Sequence, residues 1–213
     1  MSNVVNNSYK GKFITFEGVE GAGKTTNIDF IAKKIKEAGH EILLTREPGG
    51  TEVGESIREI LISKELPEMH STTELLLMFA ARAEHVQRVI LPALNDGMWV
   101  LCDRFTDATY AYQGAGRGLD TRNISLLENM VQGNLRPDYT FLFDLDAEIG
   151  LSRARTRGET DRFEQQHIDF FNRVREQYLK MAHDDKDRFR LVEAQYKLEA
   201  VQTQILKFVE DIV

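Results

Sequence analysis

The chain has 213 residues, of which 42% are hydrophobic and 29% charged, and its length is typical of one sizeable domain. No apolar run approaches the roughly eighteen residues of a membrane-spanning helix, and the composition is too hydrophobic for a disordered chain. The formal net charge of −7 argues against binding to duplex nucleic acid, which requires a broad basic face.

The amino-terminal segment and the single cysteine indicate a cellular compartment. Residues 1–11 are polar and Asn-rich and lack the basic-then-apolar pattern of a secretion signal. We therefore predict a flexible tail followed by one domain, residues 12–213. Cys102 lies in an apolar run and has no second cysteine for an intramolecular disulfide, which predicts a cytoplasmic protein.

The first half of the chain alternates between strand and helix patterns. Residues 12–17 are β-rich, and three isoleucines at helical spacing then predict a helix that ends at Gly39. Residues 41–45 form a short apolar run before a Pro-Gly-Gly turn, which predicts a second strand. Ser71 and Glu74 have capping-box spacing, and the apolar pattern after them predicts a long helix with a kink at Pro92.

The same alternation continues to the carboxyl terminus. Further buried strands are predicted at residues 99–103, 139–145 and 188–192, and a closing helix at residues 198–212. The pattern predicts an α/β fold, a three-layer α/β/α sandwich around a mostly parallel five-stranded sheet. In such a fold, ligands bind at the carboxyl ends of the strands.

A phosphate-binding loop is the strongest motif. Residues 18–25, GVEGAGKT, match G-x-x-x-x-G-K-[ST] between a predicted strand and a predicted helix, which favours a P-loop NTPase over an ordinary Gly-rich turn. Backbone N–H groups of such a loop face phosphate oxygens, Lys24 meets the β and γ charges, and Thr25 can hold Mg²⁺. We predict that ATP is bound by the residues of this loop: Gly18, Val19, Glu20, Gly21, Ala22, Gly23, Lys24, Thr25 and Thr26.

Arginines and one strand-end carboxylate extend the candidate site. Phosphoryl transfer depends on positioning two anions and neutralising charge on the transferred group, which requires several cations. Any single arginine is more often a solvated surface residue, but several lie near predicted strand ends or on facing helices. Asp103 ends a predicted strand, where a carboxylate could hold Mg²⁺ with Thr25, and Asp144 is the alternative. The candidate arginines are Arg46, Arg58, Arg82, Arg104, Arg153, Arg155, Arg157 and Arg162.

From about residue 12 to the end, the sequence resembles the bacterial thymidylate kinases, which are P-loop nucleoside monophosphate kinases. The resemblance rests on the segments FEGVEGAGKTT, TREPGGT, FAAR, DRF and YAYQG and on residues 153–162, in this order. It implies an ATP-dependent dTMP kinase that transfers the γ-phosphoryl group of ATP to dTMP, giving dTDP and ADP. It also implies a Mg²⁺ cofactor and a homodimer that packs long helices such as residues 72–95.

The resemblance implies a role for each matching residue of the substrate site. Arg58 and Arg104 would hold the phosphate of dTMP, as guanidinium groups bind phosphate bidentately, and Lys24 would supply a third cation. Glu20 would contact the sugar 3′-hydroxyl, and Tyr112 would exclude a ribose 2′-hydroxyl. The remaining substrate-binding residues are Arg82, Thr109 and Gln113 at the thymine edge, together with Glu47.

Two departures from the family pattern concern the base and the γ-phosphate. Many relatives carry an aromatic residue four positions before the helix arginine to stack on thymine, whereas this chain has Met78 there and Phe79 next. Either could face the base, and we prefer Phe79. The phosphate loop also lacks the basic residue that some relatives carry, so a mobile lid at about residues 150–165 should supply the catalytic arginines, Arg153 first and Arg157 next.

Two other functions fit the phosphate loop. A deoxynucleoside or other small-molecule kinase would need fewer arginines, because its acceptor carries no phosphate. A P-loop switch or assembly ATPase would turn over ATP without an acceptor. The predicted arginine pair, Arg58 and Arg104, favours the nucleotide kinase over the small-molecule kinase. The switch or assembly ATPase is less favoured because the sequence offers no recognisable partner-binding extension.

Overall fold

The computed structural model describes residues 9–156, 162–163 and 166–213. Within them, one sheet contains β1 (Phe13–Glu17), β2 (Ile42–Arg46), β3 (Trp99–Asp103), β4 (Tyr139–Asp144) and β5 (Phe189–Glu193). The strand order is β2-β3-β1-β4-β5, and every pairing is parallel. The structure therefore confirms the predicted five-stranded parallel sheet of an α/β fold.

Helices connect successive strands and cover both faces of the sheet. The first is α1 (Lys24–Glu37), which directly follows the phosphate loop. The others are α2 (Glu52–Ile62), α3 (Ser71–His85), α4 (Leu91–Asp96), α5 (Thr106–Thr109), α6 (Thr121–Gln132), α7 (Ala147–Arg155), α8 (Ile168–Asp184) and α9 (Leu198–Glu210). Among the described residues no helix is long and apolar enough to cross a membrane.

Two π-helical segments interrupt the helical pattern. Val86–Ile90 joins α3 to α4, so the predicted long helix is continuous and changes its hydrogen-bond pattern just before Pro92. Because proline lacks an N–H group, an α-helical bond to the preceding turn is lost there. Tyr110–Gly116 forms the second π-helical segment, which continues from α5 and carries several predicted substrate residues.

Alternate residues of β1 and β3 face opposite helix layers, as the two-residue period of a strand requires. Ile14, Phe16 and Leu101 belong to the larger apolar cluster, which includes Ile31 and Ile35 of α1. The opposite face forms a second cluster with the helical rod that ends in α4. Its fully buried members are Phe13, Val86, Ile90, Leu94, Val100 and Cys102. The two clusters give the predicted three-layer architecture.

The carboxyl ends of three neighbouring strands bring the candidate residues to one edge. Arg46 at the end of β2 pairs in register with Asp103 at the end of β3, which in turn pairs with Phe16 of β1. The amide of Glu47 then donates to the carbonyl of Asp103, and the amide of Arg104 donates to the carbonyl of Phe16. These two bonds extend the parallel hydrogen-bond pattern one residue past the strands, so they fix the positions of Glu47 and Arg104 at the start of the loops.

The phosphate loop packs against α7 through two glycines. A Cβ atom added to Gly21 would lie 2.1 Å from the carbonyl oxygen of Gly150, and one added to Gly150 would lie 2.4 Å from the carbonyl oxygen of Glu20. Because the obstructing atoms belong to the backbone, neither position has room for a side chain. The segment predicted to contain the lid therefore begins in direct backbone contact with the phosphate loop.

Candidate active site

A cleft opens at the carboxyl ends of β1, β2 and β3, beside the phosphate loop. Every residue predicted to bind the acceptor lines it except Phe79 and Lys24, the cation of the phosphate loop. Sequence reasoning did not identify Pro48, Ile62, Phe105, Ala108 and Phe163, which add a largely apolar wall. The predicted residues in the lining are Glu20, Glu47, Arg58, Met78, Arg82, Arg104, Thr109, Tyr112 and Gln113.

Arg104 occupies a strained position that directs its side chain into this cleft. Its φ of 69° is the one left-handed value among the described non-glycine residues, and such backbone strain concentrates at functional sites. Nη2 donates to Glu20 Oε1 over 3.0 Å, and the guanidinium lies 4.8 Å from the centre of the Tyr112 ring. Burial alone would lower the pKa of Arg104, but Tyr112 and Glu20 raise it well above its ordinary value. Arg104 therefore presents a permanent cation.

Glu17 supports Arg104 indirectly, through the backbone of Phe105 and the side chain of Tyr178. Its Oε1 accepts the amide of Phe105 over 2.7 Å, and its Oε2 accepts the hydroxyl of Tyr178 over 2.7 Å. The Tyr178 hydroxyl in turn accepts from Arg104 Nη1 over 3.3 Å. Burial, aided by the charge of Asp107, raises the pKa of Glu17 to about 8. An acidic residue ending a fully buried strand is the sequence signal that could have identified this position.

Arg82 is fixed on the opposite wall by a buried carboxylate. Its Nε donates to Glu47 Oε2 over 2.7 Å and its Nη2 to Thr109 Oγ1 over 3.0 Å, while Nη1 is buried and has no hydrogen-bond partner in the described part of the chain. His85 contacts the other Glu47 oxygen at 3.0 Å. Burial would raise the pKa of Glu47, but the charges of Arg82 and His85 hold it below its ordinary value.

Gln113 is held by Glu74, which sequence reasoning placed only in a capping box. Gln113 Nε2 donates to Glu74 Oε1 over 2.9 Å. The same fully buried carboxylate accepts Arg117 Nε at 3.2 Å, Arg117 Nη2 at 3.1 Å and Arg162 Nη2 at 2.7 Å. One carboxylate thus joins α3, the second π-helical segment and a residue of the predicted lid.

The structure corrects the preference for Phe79 as the residue that faces the base. Phe79 is only 2% exposed and packs with Leu75 and Ile124 in a separate apolar cluster. Met78 lines the cleft because residues four apart lie on the same face of a helix, which places Met78 beside Arg82. Phe79 instead lies under Arg82, with 4.7 Å between the guanidinium carbon and the ring centre.

The phosphate loop has the expected arrangement at the start of α1. Lys24 Nζ lies over the loop and donates to the carbonyls of Gly18 and Val19 over 3.3 and 3.5 Å. Burial and the nearby charge of Arg104 lower the pKa of Lys24. Thr25 and Thr26 are exposed on the first turn of α1. Asp103 Oδ1 is buried and lacks a hydrogen-bond partner within the described ranges.

The arginines predicted for the lid lie only partly within the described part of the chain. Arg153 does not line the cleft, and its Nη1 donates to the carbonyl of Ala194, just after β5. Arg157 lies outside the described residues. Arg162 bonds to Glu74 and, over 3.0 Å, to the carbonyl of Leu61. Arg162 therefore lies at the end of the cleft that holds Gln113.

A phosphate loop next to a cleft lined by buried arginines and hydrogen-bonding side chains defines a P-loop nucleotide kinase. The family profile described as thymidylate kinase matches residues 16–205. The chain belongs to the thymidylate kinase family, and it is a phosphotransferase that uses ATP to phosphorylate dTMP.

Individual relatives support this assignment over nearly the whole chain. The thymidylate kinase of Pseudomonas putida strain F1 is 55% identical over 195 residues, which cover 92% of this chain and 93% of the relative. That of Pseudomonas syringae pv. syringae strain B728a is 57% identical over 192 residues, covering 90% and 91%. The crystal structure of thymidylate kinase from Ehrlichia chaffeensis has a TM-score of 0.77 at 32% identity, covering 95% of this chain and 99% of that chain.

The raised pKa of Glu17 predicts a specific dependence of stability on pH. The folded state binds the Glu17 proton more tightly than the unfolded chain, so this contribution to stability is full below the ordinary pKa of 4.5 and is lost as the pH rises through about 8. We expect Glu17→Gln, which carries no titratable proton, to remove that part of the slope. Urea unfolding across this pH window measures the effect. Glu199→Gln, at an exposed position of α9, is the control; a Glu17→Gln slope equal to that of the wild type would contradict the prediction.

Proposed function

We propose that the cleft binds dTMP with its phosphate between Arg58 and Arg104, while the loop of residues 18–26 binds ATP. The observation that carries this proposal is the placement of Arg104, whose left-handed backbone directs a permanent cation into the cleft beside Glu20 of the phosphate loop. Arg58 lines the same cleft and donates to the carbonyl of Pro48 over 3.0 Å. Two guanidinium groups facing one cleft suit a phosphate dianion.

The reaction then is a direct in-line transfer. A phosphate oxygen of dTMP attacks the γ-phosphorus of ATP, the bond from that phosphorus to the β–γ bridging oxygen breaks, and dTDP and ADP leave without a phosphoenzyme. Lys24 and Arg104 neutralise charge between donor and acceptor, and they hold the two anions in line. We assign the additional lid cations to Arg153 and Arg157, in a lid of about residues 150–165 within one domain, residues 12–213.

The sugar is assigned to Glu20 and Tyr112. The Tyr112 hydroxyl donates to both Glu20 carboxylate oxygens, over 2.8 and 2.7 Å, and burial raises the pKa of Tyr112 well above its ordinary value. In this proposal Glu20 accepts the sugar 3′-hydroxyl, and the Tyr112 ring occupies the space that a ribose 2′-hydroxyl would need. The base then lies between Met78 and the hydrogen-bonding groups of Arg82, Thr109 and Gln113.

The residues around the phosphate loop fit a magnesium ion. Asp103 Oδ1 is buried without a partner in the described part of the chain, and Thr25 exposes its hydroxyl at the start of α1. Mg²⁺ prefers oxygen ligands and commonly takes one or two protein groups together with nucleotide phosphates. We therefore assign Thr25 and Asp103 as its protein ligands. When bound, the ion would neutralise charge on the ATP phosphates.

Two further assignments concern the whole protein. We place the enzyme in the cytoplasm, because Cys102 is a buried free thiol; recovery of the chain outside that compartment on fractionation would contradict this.

We also propose a homodimer formed by α3 and α6, which pack on each other through Leu75, Phe79 and Ile124. The two helices also expose large apolar side chains, namely Leu76 at 52%, Leu126 at 69% and Met130 at 84%.

The phosphate role of Arg104 is tested by its effect on each substrate. We expect Arg104→Ala to raise KM for dTMP by roughly tenfold to a hundredfold, since a charge-assisted hydrogen bond contributes about 1.5–3 kcal/mol. KM for ATP should change far less. ADP release with dTMP, dAMP, dCMP, dGMP and UMP as acceptors measures both affinity and selectivity. The control is Arg122→Ala, a guanidinium whose side chain is 87% exposed; equal changes in both KM values, or no preference for dTMP, would refute the proposal.

The magnesium assignment predicts a change in metal dependence. Asp103→Asn removes the negative charge, and we expect it to raise the Mg²⁺ concentration that gives half-maximal rate. Titration of Mg²⁺ at saturating dTMP and ATP measures this quantity. Asp146→Asn, which removes a half-exposed carboxylate at the start of α7, is the matched control. An Asp103→Asn enzyme with unchanged magnesium dependence would exclude Asp103 as a ligand.

The homodimer predicts a concentration-dependent mass. Sedimentation at micromolar protein should give a species of twice 24.4 kDa, and Met130→Glu should shift it toward 24.4 kDa by placing a charge in the apolar interface. Tyr196→Glu, at a position 51% exposed before α9, should leave the mass unchanged. A wild-type chain that sediments only as the 24.4 kDa species would refute the dimer.

A further inference from the structure

Thymine and cytosine present opposite hydrogen-bonding patterns on the edge that a kinase can read. Thymine offers the O4 carbonyl as an acceptor and N3–H as a donor, whereas cytosine offers the N4 amino group as a donor and N3 as an acceptor. A site that selects thymine through this edge must therefore hold a donor and an acceptor in a fixed order. Side-chain amides are ambiguous in this respect, because rotation by half a turn exchanges their oxygen and nitrogen.

The amide of Gln113 is not free to rotate in this way. Gln113 lines the cleft and is 1% exposed, and its Nε2 donates to Glu74 Oε1 over 2.9 Å. A carboxylate accepts hydrogen bonds and donates none, so only the nitrogen of Gln113 can face Glu74. The carbonyl oxygen of Gln113 is then the group left for a ligand.

Glu74 is itself held by charged neighbours that do not line the cleft. It is fully buried, it does not line the cleft, and it accepts three N–H groups from the guanidinium groups of Arg117 and Arg162. Two cations around one buried carboxylate balance its charge and fix its position. The orientation of Gln113 is thus imposed by a residue that would not touch the substrate.

The donor half of the pattern comes from Arg82. Glu47 and Thr109 engage Nε and Nη2, which leaves Nη1 buried without a hydrogen-bond partner among the described residues. A buried unpaired N–H is costly, and on a side chain that lines the cleft it indicates a ligand acceptor. The cleft therefore shows a donor at Arg82 and an acceptor at Gln113.

We propose that Glu74 is the positioning residue that sets selectivity for thymine over cytosine, by fixing Gln113 with its carbonyl oxygen toward the base. The inference rests on the proposed placement of the base between Arg82 and Gln113. Arg82 would then meet O4 and Gln113 would meet N3–H. Cytosine would place a donor against Arg82 and an acceptor against the Gln113 oxygen, so that both contacts are lost.

The test compares dTMP with 5-methyl-dCMP, which keeps the methyl group and differs only at the base edge. Glu74→Gln offers Gln113 either an oxygen or a nitrogen, so the amide of Gln113 can turn its N–H groups toward the cleft. We expect the ratio of kcat/KM for dTMP to that for 5-methyl-dCMP to fall by roughly tenfold or more. Thymine and uracil present the same hydrogen-bonding edge, so the ratio of kcat/KM for dTMP to that for dUMP should stay within about threefold of the wild-type value. A general loss of structure would lower the rates with all three acceptors together.

Two control variants separate failure of this inference from failure of the proposed base site. Gln113→Ala should also lower the ratio of kcat/KM for dTMP to that for 5-methyl-dCMP. An unchanged ratio in Gln113→Ala would refute the proposed placement of the base. If Gln113→Ala lowers the ratio of the two kcat/KM values and Glu74→Gln leaves it unchanged, the role of Glu74 is refuted while the placement of the base still stands. Glu128→Gln alters another buried glutamate, which lies on α6 and bonds to Tyr110, and it should leave the ratio unchanged.

A measurement on the wild-type enzyme applies even if Glu74→Gln does not fold. Calorimetric titration should show that 5-methyl-dCMP binds at least roughly a hundredfold more weakly than dTMP, because two buried hydrogen bonds are lost together. Affinities of dTMP and 5-methyl-dCMP within about threefold of each other would show that the site does not hold a donor and an acceptor in a fixed order against the base. That result would overturn the inference.

Discussion

Buried carboxylates organise the acceptor side of this kinase. Glu17, Glu47 and Glu74 are at most 5% exposed. Glu47 bonds directly to Arg82 and Glu74 to Gln113, whereas Glu17 supports Arg104 through the hydroxyl of Tyr178. Removing a carboxylate from water costs several kcal/mol, so such a residue is either paired and hydrogen-bonded, as Glu47 and Glu74 are, or takes up a proton more readily, as the raised pKa of Glu17 indicates. The parallel sheet and its two apolar layers provide the rigid surroundings in which these pairs keep one geometry.

The donor and acceptor sides use different physical means to bind anions. A phosphate loop binds anions through backbone N–H groups and the amino end of the following helix, so residues 18–25 are constrained mainly by backbone conformation and by the close approach of Gly21 to Gly150. The proposed acceptor side would bind through arginine side chains, which need external support because they are long and flexible. This difference explains why the loop has a compact sequence motif and the acceptor cleft does not.

Sequence reasoning was most successful where local pattern decides the outcome. The strands and the continuous helix through Val86–Ile90 follow from short-range periodicity, and the phosphate loop follows from a contiguous motif between a strand and a helix. Prediction from the sequence was less successful where the outcome depends on the direction of a side chain or on a partner far away in the sequence. Helical spacing leaves Met78 and Phe79 both near the face of Arg82, and only the packing of Phe79 against Leu75 and Ile124 decides which of the two lines the cleft. Glu74 was assigned only to a capping box because its partner Gln113 lies 39 positions away, and Arg162 was grouped with the phosphate lid although it bonds to Glu74.

The hydrogen bond between Glu17 and Tyr178 joins residues 161 positions apart, on β1 and α8. During synthesis on the ribosome, the phosphate loop emerges long before α8, so a nascent chain contains the ATP motif while Arg104 still lacks its support. Contacts of such long sequence separation form late, because the chain must close a large loop before they stabilise anything. The acceptor site is therefore completed only by the nearly finished polypeptide, and an incomplete chain has no ordered place in which to receive a phosphoryl group.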